Sequence, residues 1–234
     1  MIPVLHLSTV LSALFCVFAG KRLYFYWRTA KDQNVGDFLR AYISLGVYFI
    51  IVSLPALFSD PAKIQIIYAF SYVPVVLSAA FLARAAFRML GYPAWSNYFS
   101  SIIYSFVSIV VILNIVFSRP ATLRVYGELF YHWAEGTPLF LAIFNGVLLG
   151  ILTTGCALLF LLGGIRGKEK LVRVRAFLIG AGLSLLVIAA SFNYIFTLYM
   201  RGISQWLFPL LASFFALSGL ILMLCGVYYR VDKY

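Results

Sequence analysis

Charge is what this chain has least of. Asp and Glu number only 7 among 234 residues, His 2 and Cys 3, and charged residues of both signs make up 11%. A soluble domain keeps roughly a quarter of its residues charged, so a water-facing surface is excluded for most of this chain. Cys16, Cys156 and Cys225 each lie inside an apolar run, far apart. That excludes a disulfide framework and any zinc-ligand spacing, and leaves three small apolar side chains. No Asp or Glu stands at the centre of an apolar run. This argues against a proton-coupled transporter or an ion pump, which need carboxylates within the membrane. HExxH, GxSxG, CxxC and glycine-rich phosphate loops are all missing. No residue therefore stands out as catalytic, as a metal ligand or as a cofactor anchor, and the chain does not read as an enzyme.

What the chain has in quantity is apolar sequence, at 64% of residues. Seven runs stand out, at 2–20, 38–58, 64–83, 98–117, 138–164, 174–199 and 203–228. Each is near or above the roughly 18–20 residues that cross a bilayer core. The expectation is an all-α bundle of seven transmembrane helices, one integral-membrane domain over residues 1–234, with the lipid bilayer as its first partner. No Lys or Arg precedes the first run, while Lys21, Arg22 and Arg28 follow it. It is thus read as a retained helix and not as a signal peptide.

The basic residues alternate in density between the runs. After runs one, three, five and seven come 14 of the 18: Lys21, Arg22, Arg28, Lys31, Arg40, Arg84, Arg88, Arg166, Lys168, Lys170, Arg173, Arg175, Arg230 and Lys233. The other side holds Lys63, Arg119, Arg124 and Arg201. The positive-inside rule then puts the N-terminus outside and the C-terminus in the cytoplasm of a cell membrane, plasma or inner. The net charge of +11 is explained in the same way, and a nucleic-acid partner is not expected.

Local punctuation supports the runs. Asp60-Pro61 and Thr137-Pro138 each read as an N-cap followed by a first-turn proline. Pro55 reads as helping to end the second helix, and Pro74 and Pro209 as fixed bends, with a functional hinge as the less favoured reading. Gly163, Gly164 and Gly167 mark the end of the fifth. Gly146 and Gly150 form a GxxxG, and Ser101, Ser105 and Ser108 a small-residue stripe, both expected to pack within the bundle. In the connection 121–134, Leu123, Tyr126, Phe130 and Trp133 are spaced as one helical face, with Arg124, Glu128 and His132 on another. That spacing predicts a short amphipathic helix on the outer membrane surface.

Uncharged polar residues gather in the outer halves of the helices. His6, Gln65, Asn114, Asn145, Asn193 and Gln205 come from six different runs at similar depth, with Tyr72 and Tyr194 close by. Two readings stand: a ligand pocket open to the outside, suited to a small uncharged or weakly polar molecule, or hydrogen bonding between helices.

The chain resembles the N-terminal seven-helix sensor region of certain bacterial histidine kinases and diguanylate cyclases. The resemblance rests on seven runs with the N-terminus outside, an aromatic-rich connection before run five, the basic turn Arg166–Arg175, and the run from Gly180 to Asn193 and Tyr194. It implies a sensor in signal transduction. The sequence departs from that pattern after Tyr229, where five residues remain and no phosphoacceptor His or nucleotide site follows. Output is then expected to pass to a separate cytoplasmic or membrane partner. The alternatives are a transporter or facilitator without ion coupling, and a structural subunit of a membrane complex.

Overall fold

A computed structural model describes residues 2–126, 130–192 and 207–229. Among the described residues, seven α-helices carry the fold: α1 (Val4–Ala30), α2 (Gln33–Ser53), α3 (Pro61–Met89), α4 (Pro93–Phe117), α5 (Leu139–Arg166), α6 (Lys170–Ser191) and α7 (Leu207–Tyr228). Six of them, α2 to α7, are long and apolar enough to cross a membrane. At about 1.5 Å per residue, even the shortest of the seven helices exceeds the roughly 30 Å of a hydrocarbon core.

The first helix is longer than the run that predicts it. It continues through Lys21, Arg22 and Arg28, so the connection to α2 shrinks to Lys31 and Asp32. Lys31 takes a left-handed conformation (φ 53°) and closes α1 with a bond from its N–H to the Trp27 carbonyl, 2.8 Å. The Asp32 carboxylate then caps α2, accepting from the Asn34 N–H at 2.7 Å. Asp60 caps α3 as expected, accepting from the Ala62 N–H at 2.9 Å, with Pro61 in the first turn. Pro55 falls in a 3-10 turn, Leu54–Leu57, that ends α2. Pro74 lies within a continuous α3. At Gly167 the N–H returns to the Gly163 carbonyl at 2.9 Å and closes α5.

The helices form a ring. α1 packs on α2 and α7, α2 on α3, α3 on α5, α5 on α6, and α6 on α7. α4 stands outside the ring against α3, and most of its length is exposed. Its Ser101, Ser105 and Ser108 are exposed too, the first two bonding to carbonyls of their own helix. The serine stripe therefore does not pack in the bundle. At its glycines α6 instead comes close to α7: a Cβ on Gly182 would come within 2.5 Å of the Gly219 carbonyl, and the reverse. Across the ring interior the buried Tyr42 donates to the Leu220 carbonyl at 2.6 Å.

Neighbouring helices run in opposite directions. One end of the bundle collects the starts of α1, α3 and α5, where His6 meets Val52 and Asn114 meets Asn145. The other collects their ends, where Arg88 meets Asp37 and Arg175 meets Tyr229. These are the hairpin end and the basic end below.

The connection before α5 is a β-hairpin and not a helix. Strand β2 (Thr122–Tyr126) pairs antiparallel with β3 (Phe130–Ala134), and β1 (Ile2–Pro3) adds to β3 in parallel. In the register Leu123 lies opposite Trp133, Arg124 opposite His132 and Tyr126 opposite Phe130. Residues three apart fall on opposite faces of a strand, so the spacing that mimics a helix does not gather one face here. Thr122, Val125, Tyr126, Phe130, Tyr131 and Trp133 are β-branched or aromatic, and they favour a pleated ribbon that can pair with itself. Glu128, assigned to the polar face of that helix, lies outside the described residues.

Candidate functional site

A cavity of about 410 Å³ lies inside the ring, walled by α2, α3, α5 and α6, with Ala216 from α7. Leu45, Val75, Leu82, Leu149, Leu183 and Leu186 give it a largely apolar wall. Polar side chains are few among the described lining residues: Tyr48, Tyr72, Ser78, Thr153, Ser191 and Cys156. The volume is that of a site for a drug-sized molecule.

Two glycines make room for it. Gly146 and Gly150 line the cavity, and a Cβ on either would meet no described atom within 4 Å. Among the described residues the GxxxG thus faces the cavity and not another backbone, unlike the packing role expected of it. One helical turn between them keeps both on one face of α5, and the missing side chains become volume.

The cavity approaches the hairpin end through Tyr72, whose hydroxyl donates to the Glu135 carboxylate at 3.1 Å. Thr137 donates to the same oxygen, also at 3.1 Å. Thr137 is therefore not the N-cap of α5; Pro138 holds that position without a side-chain bond. Burial pushes the Glu135 carboxyl above its ordinary value, and the bonds from Tyr72 and Thr137 pull the other way less strongly. Beside Tyr72, the Tyr48 hydroxyl lines the cavity and makes no hydrogen bond with any described residue. Its ring packs on Phe49, with centroids 5.1 Å apart.

The hairpin is clamped over this end of the bundle. Tyr68 donates to the Trp133 carbonyl at 2.6 Å, and Gln65 accepts from the Gly136 N–H at 2.7 Å. The Ala121 N–H reaches the Pro61 carbonyl at 3.0 Å. His6 accepts from the Trp133 N–H on Nε2 at 3.4 Å, which leaves its Nδ1 to donate to the Val52 carbonyl at 3.0 Å. Gly136 is required here, because a Cβ would collide with the Arg119 and Pro120 carbonyls. This clamp is absent from the sequence reading, which gives Tyr68 and Glu135 no such role.

The polar residues expected to share one pocket are thereby divided. His6 and Gln65 hold the hairpin. Asn114 and Asn145 bond to each other between α4 and α5, with Nδ2 to Oδ1 distances of 3.3 and 2.9 Å, and both are fully buried. None of these four lines the cavity, which Tyr72 does. Asn193, Tyr194 and Gln205 lie outside the described residues, as does the remainder of run six.

The basic end holds a second polar cluster that the sequence reading passes over. Asp37 is fully buried on α2, and three arginines surround it. Arg88 pairs with it at 2.6 Å, Arg40 at 3.0 Å and Arg84 at 3.7 Å. Asp37 sits one residue before the second apolar run, so it was visible only as a flanking acid.

No known protein family matches this chain, and no curated protein matches it in sequence.

Proposed function

We propose that this chain is a non-enzymatic receptor-like protein of a bacterial cell membrane that binds a small, mostly apolar ligand carrying one hydrogen-bonding head group. The observation that carries the reading is the apolar cavity of about 410 Å³, with Tyr48 and Tyr72 on its wall. An apolar body suits the leucine-rich wall, and a hydroxyl or amine head suits Tyr48, close to the Tyr72–Glu135 pair. The nearby carboxylate disfavours an anionic head. This narrows the expected ligand from weakly polar to amphiphilic.

In this reading all seven helices span the bilayer, with the N-terminus and the hairpin outside. The support is the charge asymmetry, with 14 of 18 basic residues assigned to one side. Binding would shift the helices that wall the cavity, and their inner ends would pass the change on as a signal, as the resemblance to kinase and cyclase sensor regions implies. Thermal unfolding of the purified protein against straight-chain alcohols, amines and carboxylates of graded length tests it. Stabilisation by alcohols and amines that peaks at one chain length is the expected outcome; no stabilisation, or a preference for carboxylates, counts against it.

A facilitator remains the second reading. It needs a path through the basic half of the bundle. There Leu23, Ala83, Phe160, Ile179, Leu220 and Met223 are buried in one apolar core cluster, which offers no polar lining to a path. Binding is favoured over passage for that reason. Solute flux in proteoliposomes separates the two.

A further inference from the structure

The cluster at the basic end carries more positive charge than it can use. Asp37 contributes one carboxylate, with no exposed surface, and three guanidiniums surround it. If every group is ionised, a surplus of two positive charges is left among side chains that are mostly covered. The Arg84 and Arg88 side chains keep only 22% and 16% of their surface exposed. Covering unbalanced charge is costly unless a counter-charge and hydrogen bonds accompany it.

The hydrogen bonds are unbalanced as well. A guanidinium has five N–H donors in a planar fork. Arg88 spends part of its set on Asp37 at 2.6 Å, and Arg40 does so at 3.0 Å. Arg84 reaches Asp37 only at 3.7 Å, beyond hydrogen-bond range, and its buried Nε has no hydrogen-bond partner among the described residues. The fork of Arg84 is thus held beside its neighbours by charge, with its buried Nε–H left to a ligand.

We propose that Arg40, Arg84 and Arg88, arranged around Asp37, form a binding site for a phosphate group at the basic end of the bundle. Phosphate fits on three counts. It supplies the missing negative charge, and it offers several acceptor oxygens. It also matches the guanidinium fork, which binds it in bidentate fashion. Asp37 is the internal counter-ion that holds the three arginines near one another, so little ordering is left for binding to accomplish. Arg40, half exposed, marks the open side.

The position points to where the phosphate comes from. Asp37 is one turn from the start of α2, and Arg84 and Arg88 occupy the last two turns of α3. This is the level of lipid head groups for helices of this length, and basic clusters between helix ends are recognised by anionic lipids. A phospholipid head group and a free phosphate ion offer the same chemistry.

The test is thermal unfolding of the full chain in a neutral detergent at fixed ionic strength. Phosphatidylglycerol, phosphatidylcholine and inorganic phosphate are titrated separately. Phosphatidylglycerol is expected to raise the midpoint saturably and phosphatidylcholine not to. Arg84→Gln, which leaves the Arg88 and Arg40 pairs with Asp37 in place, should weaken half-saturation about tenfold, the loss of one or two charged hydrogen bonds. Arg40→Gln, at a half-exposed position, should act in the same direction and serves if Arg84→Gln does not fold. Lys168→Gln, at an exposed residue of the same end, should leave half-saturation unchanged. Equal stabilisation by inorganic phosphate supports the site and identifies the free ion as its occupant. No stabilisation by either source overturns the proposal. So does an equal loss in Lys168→Gln, which would reduce the effect to general surface charge.

Discussion

Asn114 and Asn145 hold each other by two reciprocal amide bonds, 3.3 and 2.9 Å long, in the fully buried seam between α4 and α5. Each carboxamide donates to the other's oxygen, and Asn114 also donates to the Val110 carbonyl at 2.8 Å. Because α4 stands outside the ring, this pair is the polar clasp that fixes it. Asn145→Leu strands the Asn114 Oδ1, while its amide nitrogen keeps the Val110 carbonyl, and should cost about 1–3 kcal/mol, the desolvation of an acceptor left without a partner. Replacing both by Leu should recover most of that loss. A double-mutant cycle on unfolding midpoints checks this, and additive losses would contradict the clasp.

Glu135 makes stability depend on pH in a defined direction. Its carboxyl sits above the ordinary glutamate value because burial disfavours the charged form. The folded chain then holds this proton more tightly than the unfolded chain does. The favourable contribution is present at acid pH and is lost as pH rises through the folded value. Glu135→Gln removes it. The midpoint of the wild type, measured relative to Glu135→Gln, should therefore fall as pH rises from below the glutamate range to neutrality. A flat difference would show that Glu135 is solvated.

The glycines divide into two kinds. Gly182 and Gly219 have each other's carbonyls within 2.5 Å of where a Cβ would stand, while Gly146 and Gly150 have no described atom within 4 Å. Gly182→Ala should destabilise by about 1–3 kcal/mol through overpacking of α6 on α7. Gly146→Ala and Gly150→Ala should be neutral or stabilising by about 0.5–1 kcal/mol, the ordinary helix preference for alanine. Unfolding midpoints of the three variants decide it.

Lys31 holds a left-handed backbone at φ 53°, which side chains adopt at a cost of roughly 1–2 kcal/mol. Lys31→Gly should raise stability by a few tenths to about 1 kcal/mol, offset in part by the extra freedom of glycine in the unfolded chain. Loss of stability would indicate that the Lys31 contact over the Trp27 ring, 5.0 Å from its centroid, outweighs the strain.

The helical architecture was legible because apolar length is a one-dimensional property, and Asp60, Pro55 and Gly167 punctuate the helices as their chemistry requires. The site was less legible. Depth along a helix can be counted from sequence, but rotation about its axis is set by packing. His6, Gln65, Asn114 and Asn145 share a depth, and rotation sends them to two different tasks. The same limit applies to Gly146 and Gly150, whose spacing fits a close crossing and a cavity wall equally well. Asp37 and Glu135 were passed over because they flank apolar runs, where acids are usually solvated. The hairpin was misread because spacings of 3, 4 and 3 recur in two paired strands as readily as in a helix. Its β-branched and aromatic content was the signal that would have corrected it.

The central claim is that the cavity between α2, α3, α5 and α6 receives an amphiphile. The most direct measurement is native mass spectrometry of the purified protein with the straight-chain alcohol that stabilises it best, beside Gly146→Leu and Gly150→Leu. Each leucine would fill part of the cavity from a position where a Cβ meets no described atom within 4 Å. Saturable binding of one alcohol molecule to the wild type, lost in both variants while their unfolding midpoints stay at or above that of the wild type, is the predicted result. Undiminished one-to-one binding in the two variants would contradict it.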